Sequence, residues 1–456
     1  MKKDRTKDMT KGKPFPLIIK FMLPLLGSNI MQQLYTIVDT IIVGRGVGVE
    51  ALAAVGATDM LRMIAVWGIA GFADGFGISM TLCFGQKSYG RLRQAKNISI
   101  VLAMGISAFV SVIGIVISTP ILKATHVPAN IFHDARTYIV IIYGGCMAMM
   151  LYNICSCILR AVGDSRTPFI GILLSSMANI LLDLLFVFVF HWGLAGAAVA
   201  TVLSQLLSAI YCLQIIRKIS ILHTNENFTE TNFYWIKRLL KAGIPMAFQN
   251  SFIAIGGVIL QSVINEYGSD FVAGFTATNK IYLLFEGAAI ALGSTMMVYV
   301  GQNCGAGNYK RINTGIRFAL LISLFLSVIL CIILICSGKL VLSLFISADS
   351  ATEQKILSIA YQYLKILCFL LFMLYLLHIY RNALMGLGNT TGPLGSGIAE
   401  FLCRITIALI FVKFIGQNAL YFAESTAWIG ADIVMIPAFY CVLKKQQKGA
   451  KIHEKG

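Results

Sequence analysis

Arg160-Ala161-Val162-Gly163-Asp164-Ser165-Arg166-Thr167-Pro168 returns 225 residues later as Met385-Gly386-Leu387-Gly388-Asn389-Thr390-Thr391-Gly392-Pro393. Both copies carry turn chemistry, with Gly and Asp or Asn for a tight reversal and Pro to open the next helix. Working outward, Gly85-Gln86-Lys87-Ser88-Tyr89-Gly90 matches Gly301-Gln302-Asn303-Cys304-Gly305-Ala306 at an offset of 216, which also fits Gly77/Gly293 and Asn97/Asn313. Ala57-Thr58 matches Ala277-Thr278 at 220, and Pro24 matches Pro245 at 221. The chain is two related halves, and small loop insertions account for the drifting offset.

Of the 456 residues, 57% are hydrophobic and 12% charged, against roughly 25% charged in an ordinary soluble domain. A helix crossing the hydrocarbon core needs about 20 mostly apolar residues. Twelve such segments are legible, starting near residues 15, 51, 95, 132, 167, 193, 236, 272, 313, 353, 393 and 418. Their apolar runs far exceed the roughly 9 to 11 residues of a membrane strand. The expected fold is therefore all-α and integral to the membrane, with twelve transmembrane helices in two six-helix lobes. Six is even, so both halves enter from the same side, as parallel repeats facing a cleft. The expected divisions are a basic tail over 1–14, a first lobe over 15–218, a polar linker over 219–235, a second lobe over 236–444 and a tail over 445–456.

The formal net charge of +17 is distributed topologically and gives no reason to expect a nucleic-acid partner. Lys and Arg concentrate before segment 1, in every even-numbered connection and after segment 12, so the positive-inside rule puts both termini in the cytoplasm. The run from Phe15 to Val43 is too long for the apolar region of a signal peptide and reads as a retained helix. Eleven cysteines, nearly all inside apolar segments, give no disulfide framework, and six histidines show no metal spacing. No nucleophile with its base, and no metal cluster, lies at membrane depth, so neither an enzyme nor a resident cofactor is expected. A channel lacks its filter signature.

Ionisable groups inside a membrane are costly and are functional hypotheses by default. The first half carries Asp39, Asp59, Arg62, Asp74 and Asp183; the second carries Lys280, Glu286, Lys365, Glu400, Arg404 and Asp432. At 1.5 Å per residue, Asp39 sits roughly 8 Å below the outer end of segment 1, Asp183 roughly 13 Å below that of segment 5, and Thr201 roughly 12 Å into segment 6. Asn179 precedes Asp183 by four residues and shares its helix face. Two carboxylates, an amide and a hydroxyl thus converge in the outer half of one lobe. Such hard oxygens suit a desolvated monovalent cation such as Na⁺, and equally a proton, because burial and like charge raise a carboxylate's proton affinity. Glu400/Arg404 at i, i+4 and Asp59/Arg62 at i, i+3 are spaced to neutralise one another.

With Val38-Asp39-Thr40-Ile41-Ile42-Val43-Gly44, Gly85-Gln86 and Gly301-Gln302, Arg160-Ala161-Val162-Gly163-Asp164 and Asn179-Ile180-Leu181-Leu182-Asp183, the chain resembles the multidrug and toxic compound extrusion (MATE) transporters, in particular their bacterial MepA-like members. The resemblance implies an antiporter of the cell membrane that expels organic, often cationic, compounds against inward flow of Na⁺ or H⁺. In its terms Asp39, Asn179, Asp183 and Thr201 match the first-lobe cation positions. Some relatives also carry an acid in helix 7; here helix 7 offers Gln249, Asn250, Ser251 and Gln261, with Glu266 only near its outer end. That places the expected cation site in the first lobe. An adaptable substrate cavity draws on Met, aromatic and polar side chains. The candidates are Gln32, Gln33, Tyr35, Met60, Met63, Met149, Tyr282 and Met296. The expected partners are small organic cations and the lipid bilayer, with the chain acting as a monomer. The nearest rival is a flippase for lipids or lipid-linked oligosaccharides of the same broader fold group, which a clustered basic cleft would favour over the mixed charges seen here.

Overall fold

Several turns pass through the left-handed backbone region, most of them at glycine, and three of these positions come in matched pairs. Gly48 (φ 121°) answers Gly268 (φ 87°), Lys87 (φ 57°) answers Gly307 (φ 70°), and Gly163 (φ 87°) answers Gly388 (φ 80°). The computed structural model describes residues 6–223, 231–346 and 350–453. Among them there is no strand, and each of the twelve expected segments is helical.

In the first half these are α1 (Pro14–Gly46), α2 (Val49–Gly85), α3 (Tyr89–Ala124), the pair α4 (Ala129–Gly144) and α5 (Cys146–Ala161), α6 (Arg166–Asp183) and α7 (Gly193–Ile216). The second half repeats the series with α8 (Asn232–Asn265), α9 (Ser269–Gly305), α10 (Tyr309–Ser343), the pair α11 (Ala351–Phe369) and α12 (Leu371–Gly386), α13 (Thr391–Ile405) with the short α14 (Val412–Ile415), and α15 (Ala423–His453). The repeat extends to the irregularities. Both pairs are bent, by 42° and 50°. Both α6 and α13 pass into a six-residue π segment, Leu184–Val189 and Thr406–Phe411.

The helix ends correct one register. α2 and α9 are each 37 residues long and start 220 apart, as do α3 and α10. Gly85 is therefore the counterpart of Gly305, and the offset of 216 read from Gly85/Gly301 slips by four residues. One helical turn is 3.6 residues, so that slip keeps the same face and passes as a match in sequence.

Among the described residues, eight helices are long and apolar enough to cross a bilayer alone, and the two bent pairs raise this to ten. The remaining segments, α13 onward and α15, are diluted by Glu400, Arg404, Glu424 and Asp432. On α3, Val101, Phe109, Val112 and Val116 are exposed, as are Leu321, Phe325, Ile332 and Leu340 on α10. Apolar stripes of that length are at home only in lipid.

By compactness the chain divides into Met1–Met9 with Leu23–Phe248, and Thr10–Met22 with Gln249–Gly456. The division falls inside α1 and α8 rather than at 219–235. In the first unit Gly71 and Gly75 let α2 meet the backbone of α8: a Cβ on Gly75 would lie 2.6 Å from the Gly243 Cα. The start of the expected linker is tied down, with Leu222 fully buried and its carbonyl accepting from Lys96 Nζ at 3.0 Å. Trp235 is also buried, donating to Gln94 Oε1 at 2.9 Å. Residues 224–230 of that linker, and 1–5 and 454–456 of the tails, lie outside the described residues. The basic tail is anchored as well: Lys7 N–H donates to the Val162 carbonyl at 3.0 Å, and Met9 is buried.

Candidate functional site

The start of α6 is fixed by its turn. Asp164 Oδ1 accepts the N–H groups of Arg166 and Thr167, both at 3.0 Å, and so satisfies donors that a helix N-terminus leaves open. The matching Asn389 Oδ1 accepts Gly392 N–H at 2.9 Å at the start of α13. From that start α6 runs beside α1. A Cβ on Gly27 would stand 2.9 Å from the Phe169 ring, and one on Gly46 2.6 Å from Val187 and 2.8 Å from Phe188. Both contact pairs advance together along the chain, so the helices lie parallel and in step. Asp39 falls between those contacts on α1, as Asp183 does on α6.

Ser175, Asn179 and Asp183 form one stripe at i, i+4, i+8 and are 5%, 1% and 0% exposed. Asp39 is half-buried with its Oδ1 covered, and it interacts electrostatically with Asp183. Among the described residues, Asp39 Oδ1, both Asp183 oxygens and both polar atoms of the Asn179 amide have no partner outside the cluster, and the two carboxyls lie within hydrogen-bonding reach of each other. Buried polar atoms are normally paired, so a cluster of orphaned oxygens marks a place that a cation or proton fills. Arg62 reaches Asp39 electrostatically but is held by Asp59, at 2.7 and 3.1 Å. Two carboxyl groups, Asp39 and Asp59, therefore share one guanidinium. No group of three or more His, Cys, Asp and Glu side chains converges among the described residues. Two carboxylates with an amide suit a monovalent ion.

Thr201 stands on α7, which packs along α6, half-buried, with its carbonyl accepting Ser204 Oγ at 2.9 Å. Its hydroxyl makes no bond to the two acids in the described structure. Ser175 was not singled out from sequence, though its four-residue spacing from Asn179 is the signal that finds it.

A family model described as MatE matches residues 24–185 and 245–410. The chain belongs to the MatE family. Among its relatives are the probable multidrug resistance protein YoeA of Bacillus subtilis, 28% identical over 76% of this chain and 75% of that one. The probable multidrug resistance protein NorM of Thermotoga maritima is 26% identical, over 91% and 89%, and the multidrug export protein MepA of Staphylococcus aureus 21%, over 95% and 96%. The fold is shared with an outward-facing multidrug resistance MATE family transporter (TM-score 0.88, 21% identity, covering 96% of this chain and 98% of that one). It is shared also with a MATE structure in the bent conformation (TM-score 0.86, 21%, 97% and 98%).

The other sequence candidates of this MatE protein are distributed as follows. Gln32 and Met60 are exposed and Gln33, Tyr35, Met63 and Met149 half-buried, all in the first unit. Tyr282 is half-buried and stacks on Trp428 at 5.8 Å between ring centroids. Met296 is 0% exposed; its flexible side chain fills the packing of the second unit and offers no surface to a substrate.

The second unit's charges form one network. Glu400 is bonded by Arg381, which also donates to Ser396 Oγ at 3.1 Å. Arg404 reaches Glu400 at 3.7 Å but binds Glu424 with both nitrogens of its fork, at 3.1 and 2.8 Å. The expected Glu400/Arg404 pairing is thus a minor part of an Arg381–Glu400–Arg404–Glu424 chain, because bidentate geometry favours Glu424. Lys365 sits over the Tyr361 ring at 5.0 Å, and Lys280 over Phe345 at 5.6 Å.

Proposed function

We propose that the chain is a multidrug exporter of the cell membrane, driven by inward flow of Na⁺ or H⁺, with Asp39, Asn179 and Asp183 as the coupling site and Thr201 beside it. The observation that carries this reading is the group of orphaned, buried oxygens shared by α1 and α6, in a family whose relatives are named for multidrug resistance and export. The transported ion is a substrate, and no resident cofactor takes part.

Without a cation the Asp39 and Asp183 carboxylates repel; with one they are held together, and α1 is drawn onto α6. A cation drives a cycle only through its different affinity for two conformations, and α1 is built to differ. Pro24 interrupts its hydrogen-bond ladder, which allows a bend. Tyr35 lies one turn before Asp39 on the same face, and Gln32 and Gln33 precede it. Movement of α1 on cation binding therefore also moves side chains proposed to touch the exported compound; the other side chains proposed to touch it are Met60 and Met63 on α2, Met149 on α5 and, in the second unit, Tyr282 on α9. Alternating access follows, with drug released as the cation binds, in a monomer with both termini in the cytoplasm.

The test is export of a fluorescent organic cation from proteoliposomes under a Na⁺ gradient or a pH gradient, with wild type and Asp183→Asn. A gradient that drives the wild type and not the variant supports the reading and identifies the ion. If neither gradient drives wild type, the drug-export reading is overturned in favour of lipid-linked substrates.

A further inference from the structure

The buried polar atoms without a partner fall largely into two groups. One is the site on α1 and α6. The other lies in the second unit and includes both oxygens of Asp432 and Oε1 of Gln249. Asp432 is 5% exposed and Gln249 2%.

Asp432 stands on the buried face of α15, one turn beyond Trp428 and one turn before Met435. The charged groups that reach it come from two packed helices, Arg381 from α12 and Glu400 from α13. Tyr380 of α12 faces it too, and its hydroxyl is bonded to Tyr440 of α15 at 3.2 Å. Tyr363 of α11, tilted against Tyr421 at 6.2 Å between ring centroids, is within electrostatic reach of Glu424 and Arg404.

A purely structural role would make Asp432 the counter-ion of Arg381. The bonding argues otherwise: Arg381 gives its Nε to Ser396 and an Nη to Glu400, and no ion pair joins it to Asp432. Counting the network with its neighbour Glu286, two guanidinium groups, Arg381 and Arg404, face four carboxyl groups: Glu286, Glu400, Glu424 and Asp432. Two carboxyls are surplus. A buried ion that is neither paired nor solvated is driven to neutralise in place, by a proton or a counter-ion. Asp432 is the member with both oxygens covered and no donor at either.

We propose that Asp432 is a second binding site for a proton or a small alkali cation, supplied by the last helix in a chain whose helix 7 has no acid at depth. The ligand must be small, because the carboxyl is almost wholly covered. Gln249 packs against Gly397, three residues before Glu400 on α13; a Cβ there would lie 2.8 Å from its Cγ. Its Oε1 is a further covered acceptor without a partner in the same unit. Neither Asp39 nor Asp183 has an acidic counterpart by repeat: Leu260 stands 221 residues beyond Asp39 and Ala408 stands 225 beyond Asp183. The second site is thus not a copy of the first.

This inference rests on the cation-coupled reading for its role in transport, but its test does not. Purified Asp183→Asn protein in lipid is compared with Asp183→Asn/Asp432→Asn by infrared spectroscopy of the protonated-carboxyl region and by binding of radioactive sodium, across neutral pH. Loss of one protonated-carboxyl band on adding Asp432→Asn supports the proposal with a proton as ligand. Loss of bound sodium supports it with an alkali cation. Asp432→Glu keeps the band at a shifted frequency, which guards against a folding defect in the amide variant. If the spectra and the sodium binding are the same with and without Asp432, the proposal is overturned. A failed export assay in wild type would overturn the coupling reading while leaving this measurement intact.

Discussion

Asp183 is the last α-helical residue of α6 before the backbone widens into the π segment Leu184–Val189, and the charge that faces it is Asp39 of α1. A π turn lodges one extra residue per turn, and such turns recur at functional sites. Here it follows the acid directly, while Val187 and Phe188 inside it take the contact with Gly46. The site and its backbone irregularity are one local construction.

From that relationship comes the first expectation. Asp39→Asn and Asp183→Asn each remove one of two like charges and keep the shape. Both variants should stay folded, with thermal midpoints at or above wild type, since the amide keeps a polar partner for the facing carboxyl while one of two like charges is removed. Gradient-driven export should fall at least about tenfold, the equivalent of about 1.4 kcal/mol of coupling. Flux in proteoliposomes, read beside thermal unfolding, checks both halves of the statement.

Arg62 supplies a second expectation, of opposite sign. It stands 2.7 Å from Asp59, but that pair is half-exposed, at 38% and 50%, so its loss should change stability by less than about 1 kcal/mol. Arg62 also bears on Asp39. Arg62→Met removes a positive neighbour and should tighten the first site for Na⁺ or H⁺, lowering the half-saturating concentration by about tenfold or less. Weaker cation binding in Arg62→Met would contradict the electrostatics described for this site.

What the chain reveals before its structure follows from the range of each signal. Local signals read well: apolar segments, the Gly163/Gly388 turns and the Asn179-to-Asp183 stripe all lie within a few residues. Signals that depend on helix neighbours do not. Arg381 is 19 residues from Glu400, and Arg160 binds Asp74, 86 residues away, at 3.1 Å. No spacing rule links either pair. Met296 looks in sequence like any other Met, and only packing shows it buried. The one-turn slip of Gly85 onto Gly301 shows the complementary weakness, that a helical pattern is nearly blind to shifts of four residues.

Gly75 offers a test of helix packing in the first unit. Its Cβ position lies 2.6 Å from the Gly243 Cα and 2.7 Å from the Ala242 carbonyl oxygen. Those are backbone atoms of α8 and cannot swing aside. Gly75→Ala should cost about 1–3 kcal/mol, in the range of overpacked cores. Gly56→Ala, with nothing within 4 Å on the same helix, should be neutral or slightly stabilising, as expected where Ala replaces a helical Gly. Equal thermal midpoints for the two variants would show that α2 and α8 are not in backbone contact.

The final expectation concerns the buried chain of charges. Arg404 is 7% exposed and Glu424 16%, with bonds of 3.1 and 2.8 Å between them. Arg404→Met strands Glu424 and strips Glu400 of its second neighbour, so it should destabilise by about 3–5 kcal/mol, the usual cost of leaving a buried charge uncompensated. The double variant Arg404→Met/Glu424→Gln removes both members and should recover a large part of that loss, because desolvating the pair offsets much of its attraction. A double-mutant cycle on unfolding in detergent measures the difference, and a coupling of at least about 1 kcal/mol is expected for residues in one network. Additive losses would mean that Glu424 has another partner able to hold it when Arg404 is gone. In that case Arg404 would be free to serve the carboxyls around Asp432, and the surplus of negative charge there would shrink by one.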